Sequence, residues 1–320
     1  MKNKKKHPLN QSALYKVKSH GRLAIILGLK LSTLRAIKRK GSDNYYFAKL
    51  ESSRDLQVPK YQLKRVHGRI NGLLSRIETP EYLHSGVKKR SNVTNARVHA
   101  AKTKLLKLDI KSFYANTTEE QVFRCFYKVF RCSKDIAQTM SKICCVNGIL
   151  PTGSPISQSI AFWVNKGLFD HLHFYSKSRG INFTLYVDDL VFSGEKVSQN
   201  FGSYVAKKIG ELGGYECHKV RLYNPKTPKI VTGVVVQGEA LRVRDRERKL
   251  ISELIKKLKE DIKGAQNVYE SPEVVYGFHK LIGHLASVGQ FNGRYRQLMQ
   301  KFVDHRRFIG VRAVNQNSLR

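Results

Sequence analysis

The stretch FTLYVDDLVFS, residues 183 to 193, constrains this chain more than any other. Phe183, Leu185 and Val187 alternate with Thr184 and Tyr186, the period of a half-buried strand, and Leu190 to Phe192 resumes the same chemistry. The pattern predicts a β-hairpin that turns at Asp188 and Asp189. A tight hairpin turn favours Asn-Gly or Asp-Gly, because it needs positive φ, which glycine adopts without steric cost. Asp-Asp has no glycine. Two carboxylates a few ångströms apart repel by roughly 4 kcal/mol at an effective dielectric near 20, a large part of a domain's net stability. A divalent cation reverses that sign, and magnesium takes hard oxygen ligands, one or two carboxylates together with substrate phosphates. A solvated acidic turn is the competing reading, so the rest of the chain decides.

A second strand ends in an aspartate. In KLLKLDIKSFY, Leu106, Leu108 and Ile110 share one face, with Lys107, Asp109 and Lys111 on the other. Enough chain separates Asp109 from Asp188 for a helix, a loop and another helix before a return to a neighbouring strand. Three carboxylates gathered this way suit two-metal nucleotidyl transfer, in which the ions activate a hydroxyl and neutralise departing pyrophosphate. Between the acidic sites lies GILPTGSPISQSIAFWVN. Pro151, Gly153 and Pro155 predict a rigid bend, a helix starts at Ser157 or Ser159, and Gly153 permits close backbone approach to a nucleotide or base pair.

Composition narrows the partners. The 320 residues include 59 Lys and Arg against 24 Asp and Glu, a formal charge of +35 that calls for a polyanion. The surplus runs from Lys4-Lys5-Lys6 to Arg306-Arg307, as along a nucleic-acid channel. No apolar run approaches the ~18 residues that span a bilayer. The basic N-terminus lacks a signal-type apolar core, since the run from Leu23 to Leu31 is short and interrupted by Gly28. A soluble cytoplasmic protein with no membrane partner is expected. The 5 cysteines, without a C-x-x-C pair, argue against a zinc site or disulfide framework.

The chain should be α+β. Leu23, Ile26, Leu27, Leu31 and Leu34 recur at helical spacing up to a stop at Gly41. Strand-like runs KLLKLDI, FTLYVDDLVFS and KIVTGVVV alternate with helical EEQVFRCFYKVF and SQSIAFWVNKGLFDHLHFYSKSR. Beyond Gln237-Gly238 the pattern turns helical and basic. In DRERKLISELIKKLKEDI, Leu250, Ile251, Leu254, Ile255 and Leu258 form an apolar face opposite Lys249, Lys256 and Lys257, which lean toward phosphate contact. His279 and His284 lack metal spacing and read as structural.

With these residues in place, the chain resembles the retron-type reverse transcriptases, bacterial relatives of retroelement polymerases. YVDD at 186 to 189 matches the Tyr-x-Asp-Asp motif, LDIKSFY at 108 to 114 the first-aspartate motif, and LPTGSP at 150 to 155 the Leu-Pro-Gln-Gly loop. NARVH at 95 to 99 and VTG at 231 to 233 resemble two elements of the retron subgroup, and RDLQVPKYQLK at 54 to 64 resembles a fingers motif. The resemblance covers about residues 50 to 310.

It implies a right-hand polymerase: a basic helical extension over 1–44, fingers over 45–103, a palm with an antiparallel sheet over 104–236 into which fingers helices insert at about 117–147, and a helical thumb over 237–320. Asp109, Asp188 and Asp189 would hold two Mg²⁺, with the backbone carbonyl of Ile110 completing one shell. Arg54 would meet the triphosphate. Tyr114 would lie under the incoming sugar and exclude a 2′-hydroxyl; the competing reading is a core tyrosine beside Phe113. Thr152 and Gly153 would line the nucleotide site. Asn95, His99, Thr232, Gly233, Lys249, Lys256 and Lys257 would serve RNA binding, with a structural role equally open for His99.

The implied activity is RNA-directed DNA synthesis on a cognate structured noncoding RNA, primed from an RNA 2′-hydroxyl, giving branched multicopy single-stranded DNA (msDNA). The implied partners are that RNA, its DNA product, dNTPs and an effector protein in antiviral defence. An intron-type reverse transcriptase and a non-catalytic RNA-binding module with a polymerase fold are the rival readings. The chain departs from the family pattern at Thr152 (usually Gln), Gln158 (a second Pro), Leu185 (Arg) and Val187 (Ala). For the lysine that would protonate pyrophosphate it offers Lys219 slightly out of register and Arg221 in register, and arginine is a poor acid.

Overall fold

A computed structural model of the chain describes residues 6–49, 55–265 and 271–317. In chain order the elements are α1 (His20–Leu27), α2 (Leu31–Lys40), β1 (Tyr45–Lys49), β2 (Asp55–Pro59), α3 (Tyr61–Leu74), α4 (Asn92–Val98), β3 (Leu105–Ile110), α5 (Glu119–Arg124), α6 (Lys134–Cys144), α7 (Ser157–Val164) and α8 (Lys166–Lys177). Then follow β4 (Asn182–Tyr186), β5 (Asp189–Ser193), α9 (Gln199–Lys208), β6 (Cys217–Tyr223), β7 (Lys229–Val231), β8 (Val234–Gln237), β9 (Ala240–Arg242), α10 (Asp245–Gly264), α11 (Pro272–Gly289) and α12 (Gly293–Asn317). The α+β class expected from the sequence is the one adopted. They group into two compact units: residues 1–91 with 104–223, and 92–103 with 224–320.

The first unit is built on an antiparallel sheet in the order β4-β5-β3-β6. Leu106, Leu108 and Ile110 are buried on one side of β3, while Lys107 and Asp109 on the other remain partly exposed, as the alternation predicts. Phe183 and Phe192 sit directly opposite on β4 and β5 with rings stacked 4.8 Å apart, the cross-strand pair that pins this register. Helices α8 and α9 pack behind the strands. Gly202 on α9 lies so close to Leu106 that an added Cβ would stand 3.3 Å from its methyl carbon.

Several expected helices are divided. The run from residue 21 to 41 breaks at Gly28, whose φ of +69° ends α1 in a left-handed cap. The long helical stretch after Ser157 breaks at Asn165, whose side-chain amide donates to the Ala161 carbonyl and to Tyr215 Oη, both at 2.9 Å. The stretch after α5 widens into a π-helical turn over Cys125–Val129.

In the second unit, β7, β8 and β9 form a small antiparallel sheet. KIVTGVVV is therefore a hairpin instead of one strand, with Thr232 (φ +43°) and Gly233 (φ +88°) as its two central residues. Positive φ at both positions is the I′ geometry that matches strand twist. Helices α10, α11 and α12 share a core of Ile251, Leu258, Val274, Phe278, Leu281 and Leu285. His284 on α11 is paired with Glu247 on α10 at 2.7 Å, a structural use of that histidine.

Tyr215 shows how the first unit is locked internally. Thr117 Oγ1 donates to the Phe113 carbonyl at 2.8 Å, so the Tyr215 hydroxyl donates to Thr117 Oγ1 at 3.0 Å and accepts from Asn165. Tyr215→Phe should lower stability by about 1 to 2 kcal/mol, because a buried amide donor loses a partner. A urea unfolding midpoint equal to that of the parent would contradict this.

Candidate active site

Register brings the carboxylates together. Asp109 on β3 lies directly opposite Asp189 on β5, and opposed residues in an antiparallel pair project to the same face with Cβ atoms about 5 Å apart. The Ile110 amide donates to the Asp188 carbonyl at 3.1 Å, which fastens the turn to the end of β3. The turn itself is one residue earlier than the sequence suggests. Tyr186 and Asp189 are paired, leaving Val187 and Asp188 as the central residues. Val187 has φ +62°, and Asp188 is not among the positive-φ residues, which is the II′ pattern. A β-branched residue there is strained by about 1 to 3 kcal/mol. Its amide donates to Ser85 Oγ at 2.9 Å, and residues 82 to 84 pair with Leu185 through two backbone hydrogen bonds. The strained turn is thus clamped from outside the hairpin.

The charges are unbalanced. Burial and then the neighbouring charge of Asp109 push the Asp188 carboxyl up to about 6. Lys107, two positions before Asp109 on the same face, bonds Asp189 at 2.8 Å. Against Asp109 stand His218 and Lys219 at 3.7 Å each. The second contact exists because β6 carries a bulge: the register passes from Lys107↔Arg221 to Asp109↔His218, and Lys219 takes φ +54°. The bulge sets Lys219 beside the carboxylate, whereas Arg221 lies opposite Lys107. Tyr114 is half-buried, and burial together with the charge of Asp188 pushes its hydroxyl up to about 12. The tyrosine therefore lies within electrostatic reach of the acidic turn.

The loop at 150–155 is pinned at several points. Leu150 N–H donates to the Thr117 carbonyl at 3.1 Å. Thr152 Oγ1 donates to the Asp55 carbonyl at 2.7 Å, and its amide to Gln57 Oε1 at 3.1 Å. Gly153 is obligatory, because a Cβ would come within 2.8 Å of the Gln57 carbonyl oxygen. Buried His67 on α3 bonds the Ile143 carbonyl through Nε2 at 2.9 Å, so Nδ1 accepts from Ser154 Oγ at 2.7 Å. Burial pulls this imidazole down to about 4, which keeps it neutral near neutral pH. His218, Ser85, His67 and Gln57 are not singled out in the sequence reading, and Lys107 is named there without a role at the site. Only Lys107 carried a signal, its place on the Asp109 face.

The other expected residues scatter. Arg54 falls outside the described residues. Asn95 and His99 are fully buried. Asn95 Nδ2 donates to Thr232 Oγ1 at 3.3 Å, and Thr232 Oγ1 donates to the Asn92 carbonyl at 2.9 Å, so the NARVH and VTG stretches clasp each other and hold Thr232 at positive φ. Lys249, Lys256 and Lys257 are exposed on α10. Among the described residues no three His, Cys, Asp or Glu side chains form a ready metal cage, and no helix is long and apolar enough to cross a membrane. The donor set is hard carboxylate oxygen with surplus negative charge at Asp188. It suits Mg²⁺ shared with substrate phosphates and water better than a cation held by protein alone.

Known proteins resemble the chain in sequence. No protein-family model matches the chain. It is 28% identical over 180 residues to the retron Se72 reverse transcriptase of Salmonella heidelberg, covering 54% of this chain and 48% of that protein. It is 25% identical over 196 residues to the retron Ec86 reverse transcriptase of Escherichia coli (59% and 60%), and 26% identical over 255 residues to the retron Mx162 reverse transcriptase of Myxococcus xanthus (68% and 53%). A foamy viral protease-reverse transcriptase solved with double-stranded DNA aligns over 95% of this chain and 45% of that one, at 14% identity and a TM-score of 0.47. The relatives make this chain similar in sequence to the reverse transcriptases. Within that class it resembles the retron type, as its motifs imply. The chain spans about half the length of the curated relatives it matches.

The raised carboxyl of Asp188 has a stability consequence. Its folded value of about 6 exceeds the unfolded value near 3.9, so the folded state binds the extra proton and loses stability as pH rises between the two. In chelator-treated protein, Asp188→Asn should therefore be more stable than the parent at pH 8, by about 2 to 3 kcal/mol at most. The advantage should fade as pH falls from about 6 to about 4. Denaturant midpoints across that range test it, and no gain at pH 8 would refute it.

Proposed function

We propose that the chain is an RNA-directed DNA polymerase of the retron type. It copies part of a cognate structured noncoding RNA into branched multicopy single-stranded DNA, primed from an RNA 2′-hydroxyl. The observation that carries this reading is the pairing of Asp109 with Asp189 beside a clamped turn bearing Asp188. Two Mg²⁺ bound by these carboxylates, with the Ile110 carbonyl, would lower the pKa of the attacking hydroxyl and neutralise departing pyrophosphate.

The remaining work belongs to protein groups. Tyr114 bounds the sugar side of the site and disfavours a 2′-hydroxyl. The pinned loop with Thr152 and Gly153 orients the nucleotide, and Arg54 takes the triphosphate. Lys219 is the better proton donor to pyrophosphate, because its ammonium stands at the carboxylates and arginine holds its proton too tightly. The +35 charge supports binding of the RNA template and DNA product, with exposed Lys249, Lys256 and Lys257 as phosphate contacts. The Thr232–Gly233 turn, stiffened by Asn95, offers a rigid edge for reading RNA shape, and buried His99 serves the same RNA-binding region through its structure. An effector partner, a defence role and a cytoplasmic location follow from the retron reading.

Incorporation of labelled dNTPs on the cognate RNA tests the proposal. Activity should require Mg²⁺ and vanish in Asp188→Asn and Asp109→Asn, while RNA binding persists. RNA binding by the parent chain without incorporation would instead identify a binding module. Lys219→Ala should lower the rate roughly 100-fold and alter its alkaline pH limb, with Arg221→Ala close to the parent. Equal losses in the two would remove Lys219 from the mechanism.

A further inference from the structure

A cavity of about 520 Å³ in the first unit is lined by one face of α3, by Leu83 and residues 85 to 88, and by one face of α7. That volume lies in the range of small-molecule sites. Lys6, Arg69, Arg76 and Lys88 line it, and among the described residues no carboxylate does. Gly68 and Gly72 stand four positions apart on α3, and a Cβ at either would meet nothing within 4 Å. Each helix-interior glycine costs about 1 kcal/mol relative to alanine. Here they leave a trough of bare backbone that admits close approach.

The far wall is unusual in another way. Gly86 has φ +66°, and a Cβ there would come within 2.9 Å of Gln158 Nε2, so the glycine lets this carboxamide lie in the cavity wall. Neither the Gln158 carboxamide nor the Arg76 guanidinium hydrogen-bonds within the described residues, and Arg69 engages only Nε, on the Ile26 carbonyl at 3.0 Å. A carboxamide offers a donor and an acceptor side by side, the complement of a nucleobase edge, and guanidinium groups suit phosphate.

We propose that this cavity binds one unpaired nucleotide of a single-stranded RNA, its base edge read by Gln158 and its phosphate held by Arg76 and Arg69. Gly68 and Gly72 admit the sugar against the helix backbone. The same wall includes Ser85, which accepts from the Val187 amide at 2.9 Å, so the cavity and the acidic turn belong to one hydrogen-bonded piece. The site is one of binding and does not depend on polymerase activity.

Isothermal titration with the four ribonucleoside 5′-monophosphates, without divalent ions, tests this on the full chain carrying Asp188→Asn. Turnover is then neither needed nor read, so a failed polymerase reading leaves the result interpretable. One of the four nucleotides should bind preferentially. Adding Gly72→Leu fills the trough while improving helix propensity; it should weaken binding by about tenfold or more without lowering the melting temperature. Adding Gln158→Leu should abolish the preference among bases. Unchanged affinity in the first, or unchanged preference in the second, overturns the proposal.

Discussion

Like charge held at close quarters is the constraint around which the first unit is arranged. Asp109 and Asp189 face each other across β3 and β5, and Asp188 is half-withdrawn from water beside them. Left alone, such a cluster would drive its strands apart. The sheet resists because its buried face is a continuous apolar layer and because Phe183 stacks on Phe192 three pairs behind the pair that closes the turn. Lys107 offsets part of the repulsion from the same face. What remains uncompensated sits at Asp188, the position with most to gain from a cation.

Strain is concentrated beside that charge. Val187 and Lys219 both adopt positive φ, one in the hairpin turn and one in the bulge of β6, and they flank the same three aspartates. Non-glycine residues persist there only when surrounding contacts over-determine them. At the turn, Ser85, the Leu185 backbone pairs and the Ile110 amide supply those contacts, and at the bulge the pairing of β6 with β3 does. The loop at 150–155 is treated alike, with Thr117, Asp55, Gln57 and His67 each holding a different atom. Thr152 gives this meaning: its short side chain closes onto β2, a bond that a longer amide at that position would not make in the same way.

The second unit uses the same device without acids. Thr232 occupies a turn position that Asn or Gly would adopt at less cost, and two asparagines from α4 keep it there. Two short sequence stretches that mark the retron subgroup are therefore a single structural object. Their buried members shape a surface from behind, while the turn carries its outer edge.

Much of this was legible in the residues. Period-two alternation revealed β3, whose inward face matches residue for residue, because burial follows side-chain parity once a strand is assumed. Strands β4 and β5 form as expected but are buried on both faces, Thr184 and Val191 included, instead of half-buried. The α+β class and the apolar faces of α10 followed from the same reasoning. Boundaries were less legible: Gly28 and Asn165 split helices that periodicity ran together, since caps and buried amides answer to partners far along the chain. The turn at Val187–Asp188 and the bulge at Lys219 were decided only by tertiary structure. Each is a local conformation that its own sequence disfavours, and it exists because Ser85, Ile110 and the register of β6 against β3 impose it from a distance. The sequence by itself determined which acids and which strands the chain has; folding determined which of them meet, because pairing register is a property of two strands at once.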